Sequence, residues 1–163
     1  MKLEYAYNDL SLLLANSTSK NNSIISSIAF DTRRIYNGEG VLFFAFKGHF
    51  RNGHDFIKAA YDKGVRHFVV QQAGVTSNMS GANEIVIEDT LEALIDLAAH
   101  HRARFNCPVV AITGSNGKTT VKEWLTILLG KKFNVARSPK SYNSKLGVSL
   151  SLFELSEDSE IAL

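Results

Sequence analysis

Residues 109–125, VVAITGSNGKTTVKEWL, restrict the possible folds more than any other stretch of the chain. A short apolar run stops at a Gly-Ser-Asn-Gly turn, and Lys118, Thr119 and Thr120 then open a segment of helical character. In a strand–turn–helix unit of this kind, successive backbone N–H groups converge on a concavity, and the helix adds its positive end. Gly114 and Gly117 allow backbone angles that other residues avoid and let oxygens approach the main chain. Lys118 is then placed to reach the β- and γ-phosphates of a nucleotide, and the Thr119 hydroxyl to ligate Mg²⁺. The common pattern has a further glycine six residues before the lysine, where this chain has Ile112. Two readings stand at this level: a phosphate cradle, and a tight turn with no ligand.

The surrounding pattern is α/β. YNDLSLLLA (5–15 region) reads as a helix, 24–34 as a strand running into a charged turn, and VLFFAF (41–46) as a buried strand. A helix is expected from Asp55, which serves as its N-cap, to a stop at Gly64. Strands are expected at 65–70 and 84–88. Asp89 and Glu92 form a capping box for a helix over 90–105, with Leu91, Leu94, Ile95 and Ala98 as its apolar stripe. His100, His101, Arg102 and Arg104 fall in its last turns, where cations suit the helix dipole, so the histidine pair is read as a helix end and not a metal site. His54 has no evident anchor, and Phe43, Phe44 and Phe46 are expected in the core.

After a boundary near 105–108 the order is strand from Pro108, helix 119–129, strand 133–138, helix 144–155 despite its glycine, and strand 160–163. This is the opening of a parallel sheet, and such sheets normally carry more strands and cover on both faces. The expected fold is therefore a small N-terminal α/β domain, residues 1–105, followed by the truncated start of a parallel-sheet P-loop domain, residues 106–163.

Composition narrows the function. With 45% hydrophobic and 21% charged residues the chain is that of a soluble globular protein. A net charge of +2, without a basic stripe, gives no case for nucleic acid or an anionic membrane. Cys107 is the only cysteine, which excludes an internal disulfide, fits a reducing cytoplasm and suggests a buried thiol. The N-terminus has no signal-peptide pattern, and no apolar run approaches the ~20 residues of a membrane helix. A cytoplasmic location is expected.

VVAITGSNGKTTVKEWL resembles the ATP loop of the Mur ligases, the cytoplasmic amide-bond ligases of peptidoglycan synthesis, whose loop reads T-G-[ST]-[NS]-G-K-[ST] without the earlier glycine. The TTVKE continuation is most similar to the MurF type. DTRRIYNGEGVLFFAFKGHFRNGHDFIKAAYDKGVRHFVV (31–70) is similar to the N-terminal domain of MurF- and MurE-type ligases, with their D-S-R element, L-F-F-A-x-x-G strand and D-G-H-x-F helix start. SYNSKLGVSLSLFEL (141–155) resembles their N-x-N-N-x-I-G-V-P-x-x-L segment. Thr32 replaces a serine, Asn52 stands for an aspartate, Ser141 and Ser144 replace asparagines, and Ser149 replaces a proline.

The resemblance implies ATP-driven addition of D-Ala-D-Ala to UDP-N-acetylmuramoyl-tripeptide through an acyl phosphate, with Mg²⁺. ATP phosphates would meet Thr113, Gly114, Ser115, Asn116, Gly117, Lys118, Thr119 and Thr120, with Lys118 as the catalytic residue and Thr119 on the metal. The UDP end of the substrate would meet Thr32, Arg33, Gly48, His49, Phe50 and Arg51. A solvated basic loop with an Asp31–Arg33 turn contact is the alternative for these last residues. A glutamate, a carbamylated lysine and a C-terminal domain of the family have no counterpart within the 163 residues, so no ligase activity is expected of the chain by itself. The expected partners are these small molecules only, with no nucleic acid and no membrane insertion, and the expected state is a monomer. A MurE-type ligase adding the third peptide residue, a non-catalytic nucleotide-sugar-binding module and an unrelated P-loop enzyme are the rival readings. Some MurF-type ligases are fused ahead of an alanine racemase, a feature that no residue before 163 decides.

Overall fold

A computed structural model describes residues 3–48, 51–139 and 142–163. The fold is α/β, as expected, and divides into two compact units, Met1–Ala93 and Leu94–Leu163.

The first unit opens with β1 (Tyr5–Ala6), which runs into α1 (Tyr7–Ala15) and pairs antiparallel with β2 (Ile24–Ile25). Four strands, β3 (Ser27–Ala29), β4 (Val41–Phe44), β5 (His67–Val70) and β6 (Asn83–Val86), then form a parallel sheet in chain order. The single strand expected over 24–34 is broken at Ser26. The N–H groups of Ser26 and Ser27 both donate to Gly40 O, at 2.8 and 3.1 Å. The chain thereby leaves its pairing with β1 and enters the parallel sheet beside β4.

All four residues of β4 and of β5 are buried, which requires cover on both faces of the sheet. Alternation sends Phe43, Ala45, Phe68 and Val70 to one face, where they pack with Ile57 and Ala60 of α2 (Ile57–Asp62), Val65 and Ile35. Burying side chains of this size contributes about 1.5–3 kcal/mol each. On the other face the Tyr7 ring of α1 lies 4.7 Å from the His67 ring. Phe46 lies at the sheet margin and is half-buried, in ring contact with Phe44 at 5.8 Å.

Helix α2 starts differently from expectation. A 3-10 turn, Gly53–Phe56, precedes it, and the capping side chain is Asn52, whose Oδ1 accepts from His54 N at 3.1 Å. Asp55 is exposed inside that turn and is not the cap, because the tighter 3-10 start places its first unpaired N–H groups three residues earlier. Gly64, at φ +94°, closes the helix end. Helix α3 (Thr90–Ala103) begins as expected, Asp89 Oδ1 accepting from Leu91 N at 2.7 Å and Glu92 N at 3.2 Å. Its buried side runs along Ala93, Leu94, Leu97, Ala98 and His101, whereas Leu91 and Ile95 are only half-buried.

In the second unit β7 (Val135–Ala136) pairs in parallel with β8 (Ile161–Ala162), and Val109 joins the other side of β8 by a parallel bridge to Ala162. The strand expected from Pro108 is reduced to that bridge, tied by Val110 N to Ala162 O and Ala162 N to Pro108 O, each 2.9 Å. Two helices accompany it, α4 (Lys118–Leu129) and α5 (Lys145–Leu152), the latter capped by Ser144 Oγ on Gly147 N. The glycine inside α5 has a packing reason: a Cβ on Gly147 would stand 2.7 Å from Tyr142 Cβ. Cys107 is buried with Leu155 and Ala162.

His101 corrects its sequence reading. It is buried between the Phe105 and Phe153 rings, at 5.0 and 5.3 Å, with Nε2 3.4 Å from Leu155 O. Burial pushes its imidazole below the ordinary value, so it serves as a neutral core residue and not as a cation at a helix end.

His54 and His67 are depressed for the same reason, desolvation by burial. A folded value below the ordinary 6.5 means that the unfolded chain binds more protons in the interval between the two. Stability from all three groups is therefore present above about pH 6.5 and lost as pH falls through their folded values. Thermal melts at pH 7.5 and 5.5 should show a lower midpoint at 5.5. An unchanged or higher midpoint would contradict the buried, neutral state of these rings.

Candidate functional site

The Gly114–Lys118 turn lies between the Val109 bridge and α4. Gly114 at φ +147° and Gly117 at φ +79° occupy a region that side chains rarely adopt. No atom stands within 4 Å of a Cβ built on Gly117, so its backbone angle and not crowding calls for glycine there. Gly117 is the N-cap of α4 and offers no side-chain acceptor to the first helical N–H groups. Those groups have no acceptor within a helix and are the ones that bind anions. Lys118 Nζ donates to Gly114 O, folding the lysine back over the turn.

These residues line one wall of a cavity of about 810 Å³ within the second unit. All eight residues proposed for phosphate contact, Thr113 to Thr120, belong to that wall. Ala136, Ser138, Tyr142, Asn143, and Val148, Ser151 and Leu152 of α5 are among the other residues that line it. The volume suits a ligand of nucleotide size. Among the described residues no three or more His, Cys, Asp or Glu gather as a metal cage. The Thr119 hydroxyl, in the first turn of α4 and on the cavity lining, is a donor of the kind that supplements phosphate and water oxygens around Mg²⁺.

The second group of candidate residues lies in the first unit. Because β3 and β4 are parallel neighbours, the segments leaving them emerge at the same carboxyl edge, where open α/β sheets bind ligands. The Phe30 and Phe46 rings, 5.7 Å apart, join those two segments. Thr32 and Arg33 form a 3-10 turn, Thr32–Arg34, capped by Asp31. Arg33 Nε and Nη2 donate to Asp31 Oδ1 and Oδ2 at 2.9 and 2.7 Å, and this hydrogen bonding holds the Asp31 carboxyl down at about 2. The contact is exposed, so an incoming diphosphate can compete for the guanidinium at little cost. Gly48 N donates to Arg51 O at 2.9 Å, and Lys47 bridges Asn52, closing the neighbouring loop. Arg51 is exposed; His49 and Phe50 lie outside the described residues.

Three residues that sequence reasoning did not place support these elements. Lys63 Nζ donates to Thr32 O at 2.6 Å and Ile35 O at 3.1 Å, holding the 3-10 turn from the end of α2. His54 does have an anchor: Gln71 N donates to its Nε2 at 3.1 Å, which assigns the proton to Nδ1, 2.9 Å from Asn52 Oδ1. Lys122 is buried and lines the cavity. Its position four residues after Lys118, on the same helix face, was the available signal.

The fold and these elements define an α/β chain that joins a parallel-sheet unit to a strand–glycine turn–helix unit with a ligand-sized cavity. Residues 25–102 match the model of the Mur ligase family, catalytic domain, and residues 112–163 match the Mur ligase middle domain. The chain belongs to the Mur ligase family. It is 36% identical over 153 residues to a UDP-N-acetylmuramoyl-tripeptide–D-alanyl-D-alanine ligase of Synechocystis sp., covering 94% of this chain and 33% of that protein. The enzyme of the same name from Bacillus subtilis is 32% identical, with 86% and 30% covered. Among solved structures, MurF from Acinetobacter baumannii superposes with a TM-score of 0.85 at 25% identity, over 99% of this chain and 35% of that one. MurF ligase from Thermotoga maritima in complex with ADP gives 0.71 at 30% identity, over 85% and 31%. The chain spans about a third of the length of the curated relatives it matches. No helix among the described residues is long and apolar enough to cross a membrane.

Proposed function

We propose that this chain is the UDP-substrate-binding and ATP-phosphate-binding part of a cytoplasmic MurF-type ligase, which adds D-Ala-D-Ala to UDP-N-acetylmuramoyl-tripeptide. Residues 1–105 take the substrate's nucleotide end and residues 106–163 take Mg-ATP, with the protein acting as a monomer. The observation that carries the reading is the Gly114–Lys118 turn, with its two glycines at positive φ, on the wall of a cavity of about 810 Å³. The ADP complex of the Thermotoga maritima relative and the names of the curated relatives support it.

The reaction runs in two steps. A carboxylate oxygen of the tripeptide attacks the γ-phosphorus of ATP, giving an acyl phosphate and ADP. The D-Ala-D-Ala amine attacks the acyl carbon; the tetrahedral adduct loses phosphate and a proton, leaving the amide. The Thr119 hydroxyl would hold magnesium, which when bound would supply charge neutralisation for the phosphates. Lys118 holds the β- and γ-phosphate oxygens, and the backbone N–H groups of Gly114 to Thr120 surround them, so the loop contributes positioning and electrostatics. In the first unit Thr32 and the N–H groups of its turn read the uracil edge, while Arg33 and Arg51 meet the diphosphate. Gly48, together with His49 and Phe50 by resemblance, contributes to binding the same nucleotide end.

Calorimetric titration with UDP-N-acetylmuramoyl-tripeptide tests the substrate half. Saturable binding is expected, weakened about 10-fold or more in a Thr32→Ala/Arg33→Ala double variant, as loss of a charge-assisted contact entails. Absence of binding to the wild-type chain, with its fold intact by circular dichroism, would overturn this assignment.

A further inference from the structure

Helix α4 buries an unexpected residue. Trp124, Ile127 and Leu128 are each more than 60% exposed, whereas Lys122 is 8% exposed. A lysine ammonium is removed from water at considerable cost unless acceptors meet it in fixed geometry. Here they do. Lys122 Nζ donates to Ser138 O at 2.8 Å, and Glu123 Oε1 lies 3.4 Å from it. The other oxygen of Glu123 accepts from Arg137 Nη1 at 2.5 Å. Ser138 is held from its other side as well, its N–H donating to Leu163 O at 3.2 Å just beyond β8.

Two adjacent residues of α4 thus clasp two adjacent residues that follow β7. Beyond Ser138, Tyr142 and Asn143 line the same cavity as the Gly114–Lys118 turn. Lys118 and Lys122 stand one turn apart on one face of α4, and both line that cavity. Lys118 belongs to the loop wall, and Lys122 connects that wall to the opposite one. An exposed lysine making a chance contact would be mobile and replaceable. A buried one, with its carbonyl partner itself held by Leu163 O, links the helix to the Ser138 segment in fixed geometry.

We infer that Lys122 is a positioning residue of the nucleotide cavity: through Ser138 it fixes the wall opposite the phosphate loop, at a width that accepts a nucleoside triphosphate. The inference rests on the proposed Mg-ATP site in the second unit. Its cost, a buried cation, is unneeded for a helix that only has to pack, since an apolar residue at 122 would serve that purpose.

The test is calorimetric titration of Mg-ATP into the 163-residue chain as wild type, Lys118→Ala, Lys122→Met and Lys122→Arg, each with a thermal melt. Methionine keeps the length and burial but loses the donor; arginine keeps charge and donors within reach of Ser138 O. The expected result is a 10-fold or greater loss of affinity in Lys122→Met, with a melting midpoint close to wild type, and recovery to within about threefold in Lys122→Arg. Wild-type affinity in Lys122→Met, while Lys118→Ala has lost binding, would overturn the inference and leave the nucleotide site standing. An affinity loss in Lys122→Met that arginine does not recover would likewise overturn it, as would one that only tracks a fall in the midpoint. No binding by the wild-type chain would overturn the nucleotide site and this inference with it.

Discussion

Lys118→Ala is expected to lower the affinity of the chain for Mg-ATP by about 100-fold or more, equivalent to ~2.7 kcal/mol, and to leave its thermal stability nearly unchanged. The size follows from the chemistry of the contact. An ammonium between two phosphate groups makes more than one charge-assisted hydrogen bond, each about 1.5–3 kcal/mol, and alanine supplies none. The lack of a stability effect follows from the lysine's place: it is half-buried, and its described contact is to Gly114 O within its own turn. Backbone N–H groups of the loop remain in the variant, so weak residual binding is expected, steeply reduced by salt. Titration calorimetry reads the affinity and a melting curve reads the fold. A variant that binds Mg-ATP within threefold of wild type would return the Gly114–Lys118 turn to the status of a tight turn without a ligand.

The Gly114–Lys118 turn and the helix it opens were legible from sequence because their requirements are local. Two glycines, a lysine and a hydroxyl at fixed spacing, between an apolar run and a helix, involve no residue more than a few positions away. The same holds for Asp89 as a helix cap and for β4, whose unbroken apolar run requires cover on both faces. Features that depend on distant partners were not legible. Ser26 divides β2 from β3 only because Gly40 O accepts two N–H groups there, across fourteen residues. Asn52 displaced Asp55 as the cap because Gly53 is drawn against the segment that follows β4: its N–H donates to Phe46 O at 2.7 Å, and a Cβ would stand 2.6 Å from Phe46 N. Periodicity in α4 points to its apolar side as the buried one, yet the buried residue is Lys122, whose acceptor at Ser138 is sixteen positions away. His101 reads as a terminal cation until Phe153 and Leu155 enclose it. In the candidate substrate site, Thr32 and Arg33 are marked by resemblance, but Lys63, which holds their turn, belongs to another element altogether.

Gly38→Ala is expected to destabilise the first unit by about 3 kcal/mol or more, at or above the upper end of ordinary overpacking. The substituted methyl would lie 2.1 Å from Val65 N, 2.3 Å from Gly64 C and 2.7 Å from Lys63 O. All three are backbone atoms at the junction of α2 and β5, and no side-chain rotation relieves the contact. The turn carrying Gly38 must therefore move away from residues 63–65. That displacement breaks two things at once: Lys63 Nζ loses its grip on Thr32 O and Ile35 O, and the Val41 N bond to Gly38 O that starts β4 is strained. Ile35, buried in the main cluster, moves with the turn. For a unit of this size each kcal/mol lowers the melting midpoint by about 4–8 °C, so a fall of more than about 10 °C is expected. Gly74→Ala is the informative comparison. Its φ of +80° carries a left-handed strain that Gly38 does not have, but no atom lies within 4 Å of the added methyl. That variant should lose only about 1–2 kcal/mol. If the two variants melt together, the close approach at Gly38 is not what holds the turn of Thr32 and Arg33 in place. If Gly38→Ala melts far lower and its remaining folded fraction binds the UDP substrate weakly, packing beneath the turn and recognition above it are one arrangement.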